Sequence, residues 1–238
     1  MAAINEVAAF DARVDPSISY PCYKSFDDII DVERLKSLDS YITERIKRHQ
    51  KAAQLDYFQN DHRLDEASPH EPGVREIWLS AHDHGVAHDY LNLDQPELWR
   101  PTEAANEFSL LMDFIATLPF KATGRMLIIY DDIGNAVPAH RDHMHQELCH
   151  HFIWLRTNRT KPFYLLNHKN GKKLYVDSYS AWFDTVNQFH GTDGAPGLSF
   201  SIRIDGRFTD ALTELMPVPR INPASQPALW ATATALRP

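Results

Sequence analysis

LSFSIRID, residues 198–205, alternates Leu198, Phe200, Ile202 and Ile204 with Ser199, Ser201, Arg203 and Asp205. A period of two belongs to a strand with one apolar and one polar face. Outward from it, Arg125 to Tyr130, Phe152 to Thr157, Phe163 to Asn167 and Lys173 to Val176 are further short β-branched or aromatic runs. Turn signals separate them, among them Asn170-Gly171 and Asp193-Gly194. No helix of any length fits between residues 120 and 210. Short strands at this spacing predict a sandwich or barrel, and a jelly roll fits best.

Upstream the texture is helical. Ile29, Val32, Leu35, Leu38, Ile42 and Ile46 recur at helical spacing, with Asp27 or Asp28 as cap, and predict a helix running to about Phe58. Residues 59–73 are polar with two prolines and read as a loop; Val74 to Leu79 reads as a short strand. A second helix is predicted from Thr102, its cap, to Leu118, with Pro119 as the stop. The first 25 residues read as irregular, and the Pro- and Ala-rich residues 216–238 as a strap or tail.

At 238 residues the chain suits one domain: helical support and a candidate lid over 26–118, a jelly-roll core over 124–210, and the tail. A formal charge of −8 leaves no basic excess to meet phosphates, which argues against nucleic acid. Cys22 and Cys149 stand far apart and form no disulfide framework, as in a reducing compartment. With no apolar run of membrane length, the expectation is a cytoplasmic protein without a membrane partner. Oligomeric state is not readable. The 13 histidines cluster, and the chemistry is to be sought among them.

VPAHRDHMHQ, residues 137–146, places His140 and Asp142 two apart. On an extended segment both side chains point the same way and can reach one ion. His190, in NQFHG, is the best third ligand. Two imidazoles and a carboxylate on one side of an ion leave adjacent positions open, the facial triad of non-haem Fe(II) oxygenases. The open positions suit a bidentate 2-oxo acid and O2. A dicarboxylate cosubstrate also needs a fixed cation, and Arg203, with Ser201 on the same strand face, is the candidate, Arg207 the runner-up.

The order H-x-D, a later His, then an Arg about a dozen residues on resembles the 2-oxoglutarate-dependent dioxygenases. Residues 124–210 are most similar to the aspartyl/asparaginyl β-hydroxylase and free-proline hydroxylase branch, through VPAHRD, AWFDTVNQFHG and SIRIDGRF. The resemblance spans roughly a third of the chain. It implies a double-stranded β-helix of cupin type, braced here by the N-terminal helices. It also implies Fe(II), 2-oxoglutarate and O2, with ascorbate as a candidate reductant. In that chemistry 2-oxoglutarate is decarboxylated to succinate while an unactivated C–H bond is oxidised. Hydroxylation is the default outcome; desaturation or ring closure, cyclopropane formation included, uses the same ligands. The substrate class it favours is a small amino acid or amino-acid-derived metabolite carrying a carboxylate, with a peptide side chain second.

Arg156 and Arg141 are candidates for the substrate's anionic group, Arg159 a third. His145, Tyr130 and Tyr164 are candidates for lining the pocket, each with core or network packing as the plain alternative. His143 and His145 keep open a cupin-type metalloenzyme that needs no 2-oxoglutarate. Among His82, His84 and His88, the last two would share a helical face as a zinc pair, but Gly85 weakens that helix; a loop over the pocket, with one His touching substrate, and plain surface are the two readings left.

Overall fold

The computed structural model describes residues 21–52, 58–59, 74–82, 95–142, 151–167, 169–185 and 188–216. Between Phe120 and Phe208 the chain crosses repeatedly between two antiparallel sheets. The strands are β6 (Phe120–Asp131), β7 (Val137–His140), β8 (Phe152–Leu155), β9 (Phe163–Leu166), β10 (Lys173–Tyr175), β11 (Ser180–Trp182), β12 (Phe189–Thr192) and β13 (Ser199–Phe208). In the larger sheet the order runs β11-β8-β13-β6, and in the smaller β10-β9-β12-β7. A chain laid alternately into two such sheets is a double-stranded β-helix, the jelly roll expected from the sequence. β1 (Lys24–Ser25) extends the larger sheet beyond β11. On its other side β3 (Val74–Trp78) and β2 (Phe58–Gln59) follow β6. β4 (Ser80–His82) and β5 (Trp99–Pro101) form a separate pair.

Register assigns the faces. Ile202 and Ile204 of β13 lie opposite Ile128 and Met126 on one side, and opposite Leu155 and Ile153 on the other. These apolar residues belong to one core with Leu35, Ile42, Ile46, Phe108, Leu111 and Phe114, so helices back this face. Arg203 lies opposite Leu127 and Trp154, and Asp205 opposite Phe152, so the alternate face turns into the barrel. Phe152, Trp154, Phe163 and Phe183 pack there with ring centroids 4.7–6.3 Å apart.

Several elements differ from the sequence expectations. The first helix is two, α1 (Val32–Ser37) and α2 (Asp39–Ala52), and α2 stops short of Phe58. Its cap is Asp31, whose carboxylate accepts from Arg34 N at 2.9 Å. Asp27 instead accepts from Tyr179 N, Ser180 N and Ser180 Oγ, tying the N-terminal segment to β11. The helix expected over 102–118 is α3 (Glu103–Glu107) and α4 (Ser109–Ile115), broken at Phe108. Thr102 makes no side-chain cap; its hydroxyl donates to the Trp78 carbonyl at 2.7 Å. The short strands β7, β11 and β12 were not foreseen. A last helix, α5 (Asp210–Glu214), follows β13. The turn expected at Asn170-Gly171 is present, Gly171 taking φ +69° between β9 and β10. Residues 217–238, the loop over 60–73, and His84, His88, His143, His145 and Cys149 lie outside the described residues. Among the described residues no helix is long and apolar enough to cross a membrane.

Candidate metal centre

β7 and β12 are paired antiparallel with His140 directly opposite His190. Directly opposed residues share a sheet face, and the two imidazole centroids stand 4.5 Å apart. Asp142 follows β7 by two residues and is pinned there, its backbone N–H donating to the Thr185 carbonyl at 3.0 Å. His140, Asp142 and His190 offer ligand atoms all within 4.8 Å of one another. Sequence reasoning thus brought together three side chains that the fold also brings together.

Each histidine is prepared for a metal on the same nitrogen. His140 Nδ1 lies 3.0 Å from the Pro138 carbonyl and His190 Nδ1 3.1 Å from the Gln188 carbonyl. A carbonyl only accepts, so each Nδ1 donates, a contact that orients the ring and leaves Nε2 as the nitrogen for a metal. His190 Nε2 stands 3.3 Å from Asp142 Oδ1. Two donors each ~2.1 Å from one ion and at about right angles would be ~3 Å apart, so this spacing fits a shared ion. Burial works to raise the Asp142 pKa, but the contact with His190, then Arg203 and Thr185, holds it well below the usual carboxylate range. Two imidazoles and a carboxylate are a donor set that suits a divalent first-row metal.

The pairing of β7 with β12 is close as well as aligned. A Cβ on Gly191 would come within 2.6 Å of the Val137 carbonyl oxygen and 2.8 Å of Tyr164 Oη. Only a residue without a side chain lets the strand bearing His190 lie this near the strand bearing His140.

Arg203 turns into the barrel beside the triad, its guanidinium carbon 4.3 Å from the Phe152 ring centroid. Nη1 donates to Asp142 Oδ2 at 3.0 Å and Nε to Asp205 Oδ1 at 3.1 Å. Nη2 stands 3.0 Å from Asp205 Oδ1 yet makes no hydrogen bond, although it is sealed from solvent. Burial opposes the charge, but Asp205 and Asp142 more than restore it and raise the pKa above the ordinary arginine value. Asp205, fully buried, takes a second arginine: Arg125 Nε donates to Oδ2 at 2.9 Å. Neither Arg125 nor the place of Asp205 between two cations was read from the sequence. The one available signal was Asp205 two residues from Arg203 on the polar face.

The remaining candidates are placed away from the triad. Ser201 shares the inward face with Arg203, opposite Ile129. Tyr130 lies opposite Phe200 and joins the helix-backed core. Tyr164 alternates with Leu165, the residue opposite His190, and so faces outward, with Lys173 Nζ 4.0 Å over its ring. Arg141 stands between two ligands and points the opposite way, 5.0 Å from the Phe189 ring centroid. Arg156 is buried, but its Nε donates to the Ser178 carbonyl at 2.8 Å and its Nη2 to the Val176 carbonyl. Burial and neighbouring Arg159 push its pKa down to about 10. Arg159 itself pairs with Asp177 at the surface. Arg207 also pairs at the surface, with Glu97. His82 is buried edge-on to Trp99, 5.7 Å between centroids.

No family model and no curated protein matches this chain. Solved structures with a similar chain path include a prolyl-4-hydroxylase from Pseudomonas putida, at 12% identity and TM-score 0.45, covering 83% of this chain and 98% of that one. A prolyl hydroxylase from Trichoplax adhaerens, in complex with a peptide fragment of hypoxia inducible factor, is 10% identical with TM-score 0.46, covering 90% and 96%. A non-haem α-ketoglutarate-dependent epimerase from nogalamycin biosynthesis is 10% identical with TM-score 0.38, covering 86% and 82%.

Proposed function

We propose that this protein is a non-haem Fe(II) oxygenase that uses 2-oxoglutarate and O2 to oxidise a C–H bond of a small, carboxylate-bearing amino acid or amino-acid-derived metabolite. The observation that carries the reading is the convergence of His140, Asp142 and His190 beside Arg203, inside a double-stranded β-helix. Bound there, Fe(II) would supply the redox chemistry that couples decarboxylation of 2-oxoglutarate to substrate oxidation. The triad takes one side of the ion and leaves adjacent positions for cosubstrate and O2.

The protein's own groups do the positioning. The Pro138 and Gln188 carbonyls hold the two imidazoles in orientation through Nδ1. Arg203 keeps a fixed positive charge beside the triad, and its buried Nη2, ion-paired with Asp205 but making no hydrogen bond, is a donor that a carboxylate of the 2-oxo acid would satisfy. Ser201 offers a hydroxyl two residues away on the same face. Trp78 lies opposite Leu127, itself opposite Arg203, and is stacked on Trp99 at 6.2 Å. This aromatic pair forms a buried cluster with Leu127, separate from the main core. With Arg156 satisfied by carbonyls and Arg141 turned away, the substrate's carboxylate is met by neither.

Anaerobic titration of Fe(II)-loaded protein with 2-oxoglutarate tests the reading. A visible charge-transfer band is expected, absent in His190→Ala and weakened in Arg203→Ala. Succinate release in a panel of amino acids then identifies the substrate class, and product analysis separates hydroxylation from desaturation or ring closure. Iron binding with no such band at saturating 2-oxoglutarate would overturn the cosubstrate and favour a cupin-type enzyme acting without it.

A further inference from the structure

The triad's carboxylate is the end of a buried string of alternating charges. Arg125 Nε donates to Asp205 Oδ2, Asp205 Oδ1 accepts from Arg203 Nε, and Arg203 Nη1 donates to Asp142 Oδ2. Arg125, Arg203 and Asp205 are 2%, 8% and 0% exposed. Ionic groups this deeply buried are costly to desolvate, and apolar residues of the same size would give the barrel equal stability. The string therefore invites a functional explanation.

An arginine facing a lone carboxylate tends to close a bidentate fork and occupy both oxygens. A carboxylate held that way has no free oxygen for an ion. Here the Nε–Nη2 edge of the guanidinium faces Asp205 Oδ1, at 3.1 and 3.0 Å, with the Phe152 ring against the group, so that edge is turned from Asp142. Arg203 reaches Asp142 through Nη1 alone, on Oδ2, while the Thr185 side chain also bonds this carboxylate. Oδ1 is left facing His190 Nε2 at 3.3 Å, on the side where the ion would sit. Arg125 keeps Asp205 in place by its other oxygen.

We propose that Asp205, anchored by Arg125, is a positioning residue for the metal: acting through Arg203, it keeps one oxygen of Asp142 free to bind the ion. The inference rests on the triad being a metal site but not on the identity of the cosubstrate. Outer partners of metal ligands typically change affinity 10–100-fold when removed, and a fall of that order is expected for Asp205→Asn.

Anaerobic Co(II) titration of the metal-free full chain, followed by its visible absorption bands, reads the affinity without turnover. Asp205→Asn is expected to weaken Co(II) binding ~10–100-fold in the natural background, but by less than ~3-fold when Arg203 is already Met, because the effect runs through Arg203. Arg125→Gln, which loosens Asp205 without removing it, is expected to give a smaller fall that also disappears with Arg203→Met. It serves as the second variant should Asp205→Asn fail to fold by circular dichroism. An equal fall in both backgrounds would mean a general loss of structure or charge and would overturn the positioning role, as would no fall at all. Wild-type protein that takes up no Co(II) would remove the metal site itself, a separate and earlier failure.

Discussion

Replacing Gly191 by Ala tests whether the two histidine strands lie as closely as described. The added Cβ would meet the Val137 carbonyl oxygen at 2.6 Å and Tyr164 Oη at 2.8 Å. The tyrosine hydroxyl is the end of a side chain and can swing aside, but the carbonyl belongs to β7 and moves only if the strand moves. Overpacking of this kind costs ~1–3 kcal/mol. For a domain of this size each kcal/mol lowers the melting temperature by ~2–4 °C, so a fall of roughly 2–12 °C is expected in the metal-free protein. Because β7 carries His140 and β12 carries His190, the same displacement should also weaken Co(II) binding. Combining Gly191→Ala with Tyr164→Phe removes the softer contact only, and should recover less than half of the lost stability. Thermal melts of the three variants, with Co(II) titrations beside them, make the measurement. Gly191→Ala protein melting within ~1 °C of wild type, with unchanged Co(II) affinity, would refute the close approach and the argument built on it.

Three further outcomes follow from the same geometry. The depressed pKa of Asp142 contributes stability that is in place above the unfolded carboxylate value of ~3.9 and is lost as pH falls through the lower folded value. Metal-free Asp142→Asn should therefore show a flatter fall in denaturant stability below pH ~4 than wild type. Burial lowers the His151 pKa, so its contribution is lost as pH drops below the unfolded value of ~6.5, and His151→Gln should flatten that part of the profile. Arg156→Met removes the charged donor from the Val176 and Ser178 carbonyls and should cost ~1–3 kcal/mol in denaturant melts while leaving Co(II) affinity unchanged.

The barrel was legible where a strand is long and one-sided. The alternation across Ser199–Phe208 fixed its inward and outward faces, and the two-residue spacing of His140 and Asp142 was sufficient to place both on one side. β7, β11 and β12 escaped notice because they lack the β-branched or aromatic run that marked the equally short β8, β9 and β10, and β7 contains Pro138. The break between α1 and α2 was hidden because the apolar spacing of Leu35, Leu38, Ile42 and Ile46 continues through it, all four being buried. The tyrosine and arginine candidates could not be assigned a strand face from the sequence, for a different reason. Which face of a strand points inward depends on register with strands distant in the chain, and Tyr164 and Arg141 fall one residue out of phase with the metal ligands. The string from Arg125 to Asp142 joins residues 80 and 61 positions apart in its two long-range links, beyond any local pattern.

Within the smaller sheet His190 rides on β12, which has a hydrogen-bonded neighbour on either side, whereas His140 rides on β7, which among the described residues has one. A four-residue terminal strand with a proline can detach by local opening at far less cost than unfolding the whole domain. Half of the metal centre thus belongs to an interior ladder and half to one that frays. An ion held by both would act as a rivet, stabilising the closed arrangement by mass action. Amide hydrogens of Val137, Ala139 and His140 should then record occupancy directly, exchanging fast in the empty protein and slowly once the rivet is in place.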